Sequence, residues 1–246
     1  MDTIAAKAEG RTPLQVDLAE MLQAMRVAER ELFALVPDQD RESAARIGSW
    51  SVKDVRAHMA AWRAIEARRL EAAARGESAA HDGDPATDDP VDDSNAILHA
   101  RYADWSWDAV AAEADASVDA LLAAIERSSA EMLCECDGTF AGIGANGVNH
   151  AMGHLPEVAA LGGARGQERF GAFAYEIEAI LRRGHLMPRD SGVILYNIAC
   201  ARAVSGELDE SRRLLHAAFA RRADLREAAR EDPDLAALGE ELAALA

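Results

Sequence analysis

The stretch Trp50-Ser-Val-Lys-Asp-Val-Arg-Ala-His-Met-Ala-Ala-Trp62 constrains this chain more than any other, because it starts a helix and puts a polar group on the helix's buried side. Ser51 stands where an N-cap belongs and Asp54 follows three residues later. The hydroxyl can accept an orphan backbone N–H while the carboxylate favours the positive helix end. Counting on from that cap, Val55, His58, Met59 and Trp62 recur at three- and four-residue spacing and share one stripe. His58 therefore faces a core. An imidazole left there without a partner costs about 1–3 kcal/mol, so the rest of the fold has to bring it one.

The surrounding sequence reads as helix almost throughout, being rich in alanine, leucine, glutamate and arginine and poor in aromatics. Thr12-Pro-Leu-Gln15 opens a first helix with a capping threonine, proline at the first helical position and glutamine to complete the box. Its apolar stripe runs from Leu14 to Val36 and ends at Pro37. The second helix runs from Ser51 to about Arg75, where Gly76 stops it. From Glu77 to Asp93, His81, Pro85, Pro90 and six aspartates make a segment too polar and too proline-punctuated to pack. This is a long surface crossover, expected to be mobile, and its His81 reads as part of a solvated loop more than as a cation site. A short helix over Ser94–Tyr102 follows. A third long helix, capped by Ser106, carries Trp107, Val110, Val118, Leu121, Leu122 and Ile125 inward.

The charge balance excludes some partners. Forty-three acidic against 26 basic side chains give a net charge of −17, which repels nucleic acid and anionic lipid. No apolar run approaches the roughly 18–20 residues of a membrane span. The first residues have neither a basic leader nor an apolar core, and three cysteines, Cys134, Cys136 and Cys200, cannot all pair within one chain. The expectation is a cytoplasmic protein with free thiols. Cys134-Glu-Cys136 lacks a second pair and reads as ordinary packing. Gly142-Ile-Gly144-Ala-Asn-Gly147 has the letters of a dinucleotide fingerprint without the preceding strand and βαβ unit that give it meaning.

Asn149-His150-Ala-Met-Gly-His154 opens or sits in a fourth helix, with Pro156 expected to kink it or mark an early turn. Two histidines four apart project from one face about one turn apart, an arrangement that lets two side chains bind one ion. His58 can join His150 and His154 if the second and fourth helices are neighbours in a bundle, where metal sites are commonly built. Three imidazoles leave a coordination position for water or substrate, and zinc or nickel suits the donor set. The competing reading is a polar core network in which the histidines bond to each other, to Asp54 or to water.

At these residues the sequence resembles the DinB/YfiT-like superfamily. The points of match are the Trp50-Ser-Val-Lys-Asp54 start, His58, the long crossover, and His150 with His154; the Trp50–Trp62 stretch and Asn95-Ala-Ile look most like the ClbS/DfsB branch, some of whose members act without the triad. The resemblance covers roughly Thr12 to Leu161. It implies an all-α four-helix bundle with a long crossover between helices two and three and a divalent metal on His58, His150 and His154. It further implies metal-assisted transfer or hydrolysis on a small molecule, typically with a low-molecular-weight thiol such as mycothiol or bacillithiol. Leu155-Pro-Glu157 stands where the family often has Arg-Gly-Gln, which bears on the substrate side. No general acid or base is evident, and Asp54, one turn before His58, is either an orienting partner of that imidazole or only a cap.

The last third reads as a second unit. Gln167–Arg183 is a helix with Phe170, Phe173, Ile177, Ile180 and Leu181 on its apolar face. After Pro188, Val193-Ile-Leu-Tyr-Asn-Ile-Ala-Cys and Gly206 followed by a second amphipathic stretch form a helical hairpin that looks like a tetratricopeptide repeat. About one and a half repeats are visible, fewer than the three or so that stand alone, so the hairpin has to lean on the bundle or on another chain. The expected organisation is a bundle over 12–161 and a tetratricopeptide-like segment over 167–246, with a protein partner or a homodimer compatible with that tail. The alternative function is a metal-free binding or self-protection protein.

Overall fold

The computed structural model describes residues 10–43, 47–77, 84–85, 90–134, 145–239 and 242. Among them all regular structure is helical, apart from one isolated bridge between Ile47 and Trp50. That bridge closes a turn at Gly48, whose φ of +57° suits glycine, and it fixes Trp50 directly ahead of the Ser51 cap. The main helices are α1 (Pro13–Ala34), α2 (Val52–Ala74), α3 (Val91–Tyr102), α4 (Trp107–Arg127), α5 (His150–Leu161), α6 (Gly163–Leu181), α7 (Pro188–Val204), α8 (Leu208–Arg221) and α9 (Leu225–Glu231), followed by a 3₁₀ turn at Pro233–Leu238.

The start signals work as the sequence indicates. Gln15 donates its backbone N–H to Thr12 Oγ1 at 3.3 Å and accepts from the Thr12 N–H at 2.8 Å, completing the box at α1. The same Gln15 also donates through Nε2 to the carbonyls of Ile125 and Ser128, at 3.2 and 2.9 Å, so a cap residue ties α1 to the end of α4. Ser51 and Asp54 make the equivalent box at α2, and Ser106 caps α4.

Helices α1, α2, α4 and α5 surround a shared core in which Met21, Met25, Val55, Met59, Leu121 and Leu155 are all buried. α6 packs across α1 and α5. Gly166 permits the closest approach, since a Cβ there would lie 2.0 Å from the Ala159 carbonyl oxygen of α5. α7 and α8 form a helical hairpin around Gly206, at φ +81°, and the buried Ser211 hydroxyl donates to the Ala199 carbonyl at 2.8 Å. The apolar core is continuous from α1 through Phe170, Phe173 and Ile177 to Phe219 and Leu242. Ion pairs reinforce the junction. Asp17 on α1 accepts from Arg183 at 2.9 Å and meets His185 Nδ1 at 2.9 Å, and Arg169 pairs with Glu31. The tail is thus docked rather than tethered.

Two expectations about the element bounds change. α3 begins at Val91, and α6 begins at Gly163 because glycine at φ +61° lets the chain turn and resume helix at once. Pro156 stands in the second turn of α5, an early turn as expected, and the helix runs on to Leu161. The crossover is not wholly solvated, because Pro85 is buried and Asp84 accepts from Arg68 at 2.6 and 3.1 Å and from Arg101 at 3.1 Å. His81 lies outside the described residues.

Candidate metal centre

His58 sits in α2 two turns after the Ser51 cap, and it is 8 % exposed, as its place among Val55 and Met59 requires. His150 is the first residue of α5, directly after a turn over Ala145–Asn149 that is kinked at Gly147, whose φ of −89° and ψ of −114° are not helical. The turn is pinned from α7, where Asn197 donates through Nδ2 to Asn149 Oδ1 at 2.7 Å. His154 follows one turn along α5. Packing of α2 against α5 brings the three rings together, and His150 and His154 form the half-buried side of the cluster.

The His58 and His150 Nε2 atoms are 2.9 Å apart, and those of His154 and His150 are 3.2 Å apart. The ring centroids are 4.6, 5.1 and 4.8 Å apart, all edge-on. Each neutral imidazole nitrogen has a single in-plane site, either a proton or a lone pair. His150 Nε2 meets two other ring nitrogens, so it can complete a hydrogen bond with only one of them. One cation satisfies all three lone pairs together. A zinc ion bound tetrahedrally at about 2.0–2.1 Å holds its nitrogen ligands about 3.3 Å apart, close to the observed separations. The donor set therefore fits a divalent ion.

Electrostatics agree with that fit. Burial, and then the neighbouring His154, push His58 down to about 3. His150 is held well below its ordinary value by burial, by the other two rings and by Arg63, and burial also lowers His154. All three rings are neutral at pH 7 and present lone pairs, the form in which imidazole binds metal.

Several groups around the triad escape a reading of the sequence alone. Trp50 packs edge-on against His58 at 4.7 Å and stacks on His99 of α3 at 6.1 Å. His99 Nε2 lies 3.5 Å from Asp54 Oδ2. Burial pushes the Asp54 carboxyl up, but its hydrogen bonds with Ser51, helped by His99, outweigh this and hold it low. The Trp62 indole donates to Asn95 Oδ1 at 3.1 Å, so Asn95 and His99, four apart on α3, both face α2. That spacing was the available signal. Deeper in the bundle, Arg63 is fully buried, pairs with Glu29 through both terminal nitrogens at 3.0 and 3.2 Å, and donates to Ser117 Oγ at 3.1 Å. Glu29 follows Met25 by four and Arg63 follows Met59 by four, so opposite charges inside two apolar stripes mark the pair.

A second group of potential ligands, Cys200, Asp232 and Asp234, gathers at the end of the tail. Its contacts account for it structurally. Asp232 accepts from the Tyr196 hydroxyl at 2.7 Å and the Cys200 thiol at 3.6 Å while capping the 3₁₀ turn, and burial beside that carboxylate pushes the thiol up, keeping it protonated. Cys136, Gly142 and Gly144 lie outside the described residues, and no described strand precedes Gly147. No described helix is long and apolar enough to cross a membrane. No protein-family model, curated protein or solved structure matches the chain.

Proposed function

We propose that the chain is a metal-dependent transferase or hydrolase acting on a small molecule at a zinc or nickel ion held by His58, His150 and His154. The observation that carries this reading is the convergence of three neutral imidazole nitrogens, with separations of 2.9 and 3.2 Å, on one point that hydrogen bonding among them cannot satisfy. A divalent ion at that point supplies Lewis acidity, which lowers the pKa of a water or thiol in its remaining positions. His58 anchors the buried side, while His150 and His154 leave the half-buried side for substrate. In this reading the helices form a DinB-like bundle, the α7–α8 hairpin is tetratricopeptide-like, and a low-molecular-weight thiol such as mycothiol or bacillithiol is the co-substrate.

Elemental analysis of protein purified without chelator tests the metal, with close to one zinc or nickel per chain expected and none in a His58→Ala, His150→Ala double variant. Thiol consumption in the presence of a small electrophile tests the reaction, and it should depend on the bound ion. One observation favours a metal-free binding protein instead. His150 Nδ1 is buried with no described hydrogen-bond partner, whereas ligating histidines ordinarily donate that proton to a carboxylate or carbonyl. A metal-free native protein would favour that reading, whereas stoichiometric metal retained by the double variant would put the ion elsewhere and overturn the triad as its ligands.

A further inference from the structure

His58 Nδ1 is buried and has no described hydrogen-bond partner. Beside the ring lies a cavity of about 10 Å³ walled by Trp50, Asp54, His58, Leu98, His99 and Tyr102. That is the room of one water molecule. If His58 gives its Nε2 lone pair to an ion, its single proton sits on Nδ1 and requires an acceptor. Asp54 supplies one. The Ser51 N–H and hydroxyl, at 3.0 and 2.6 Å, and His99, at 3.5 Å, all address Asp54 Oδ2, which leaves Oδ1 for a further donor.

We propose that one water molecule occupies this cavity, accepting from the His58 Nδ1–H and donating to the Asp54 carboxylate. Asp54 is then a positioning residue for the metal centre as well as a helix cap. The carboxylate fixes the His58 tautomer through the water, and Trp50, stacked on His99, walls the site. The inference rests on the reading of the triad as a metal site, and it goes further by giving Asp54 a task that capping does not require.

Capping and positioning are separable by mutation. Ser51→Ala removes the hydroxyl that caps the helix but keeps the carboxylate, Asp54→Ala removes the carboxylate but keeps the backbone N–H that donates to Ser51 Oγ at 3.1 Å, and Asp54→Asn retains an oxygen acceptor without the charge. Zinc affinity of the full chain, measured by competition with a chromophoric chelator, should fall about 10–100-fold in Asp54→Ala. It should recover partly in Asp54→Asn and stay within about threefold of wild type in Ser51→Ala. Equal losses in Ser51→Ala and Asp54→Ala, or none in Asp54→Ala, would overturn the proposal. Absence of zinc binding by the wild-type chain would remove the metal reading instead, and nitrogen-edited histidine NMR of the metal-free chain then tests the water site alone. There the Nδ1–H tautomer of His58 should dominate and be lost in Asp54→Ala but not in Ser51→Ala; an unchanged tautomer in Asp54→Ala would overturn the water site.

Discussion

Replacing Glu29 with leucine should be among the most damaging single changes in the bundle. Glu29 is 3 % exposed and Arg63 fully buried, and the carboxylate meets Arg63 at 3.0 and 3.2 Å and Arg56 at 3.9 Å. Removing it strands two guanidinium groups in a medium where they cannot shed their charge. Arg63 keeps only the Ser117 hydroxyl among these contacts, and Arg56 keeps its seat over the Phe33 and Trp107 rings at 4.9 and 5.3 Å. Breaking a buried pair from one side costs about 3–5 kcal/mol. For a chain of this size that is a fall in melting temperature of about 6–20 °C. Urea unfolding followed by circular dichroism measures the loss, and the double variant Glu29→Leu, Arg63→Met should recover part of it, because the fully buried Arg63 charge is gone and only Arg56 has lost its carboxylate. A Glu29→Leu loss below about 1 kcal/mol, or a double variant as unstable as the sum of the singles, would refute the claim that the pair is desolvated.

Three further outcomes are expected. In the metal-free protein the folded state keeps His58 unprotonated down to about 3, and His150 and His154 are also lowered. Stability should therefore be full above about pH 6.5 and fall as pH drops toward 3, by up to about 1.4 kcal/mol per unit for each imidazole; urea midpoints at pH 7, 6 and 5 should show this slope, and it should flatten when all three histidines are alanine. Asn197→Ala should weaken zinc binding several-fold while lowering stability by only about 1 kcal/mol, because the hydrogen bond it removes holds the turn before His150; chelator competition checks it, and unchanged affinity would dissociate α7 from the site. A chain ending at Leu161 should aggregate, since it uncovers the core that Phe170, Phe173 and Ile177 complete, whereas a monodisperse, cooperatively folding fragment would show that the first five helices are self-sufficient.

Local codes were the legible part of this chain. The Thr12, Ser51 and Ser106 caps and the Gly76 and Gly206 stops mark helix ends within a few residues, because each acts through neighbouring backbone atoms. The inward place of His58 and the shared face of His150 and His154 follow from helical periodicity alone, and the meeting of their nitrogens required only that α2 and α5 be neighbours. What spacing could not supply was the content of contacts between distant segments. Asp84 looks like any other aspartate in an acidic run, and only the fold brings Arg68 and Arg101 to it. Asn197 resembles a repeat consensus residue until its partner proves to be Asn149. Gly166 is one glycine among 17, and nothing before the structure tells that it lies against the Ala159 carbonyl.

The division of the triad between two helices makes it a calliper. His150 and His154 belong to one rigid jaw, since a single helical turn sets their spacing whatever the rest of the molecule does. His58 is the other jaw, and its distance from them is set by how tightly α2 and α5 pack through side chains such as Met59 and Leu155. Trimming or enlarging one of those residues, with every histidine left in place, alters the gap by fractions of an ångström, the scale on which ions of different radius differ. Selectivity among metals is in that case a property of the hydrophobic core.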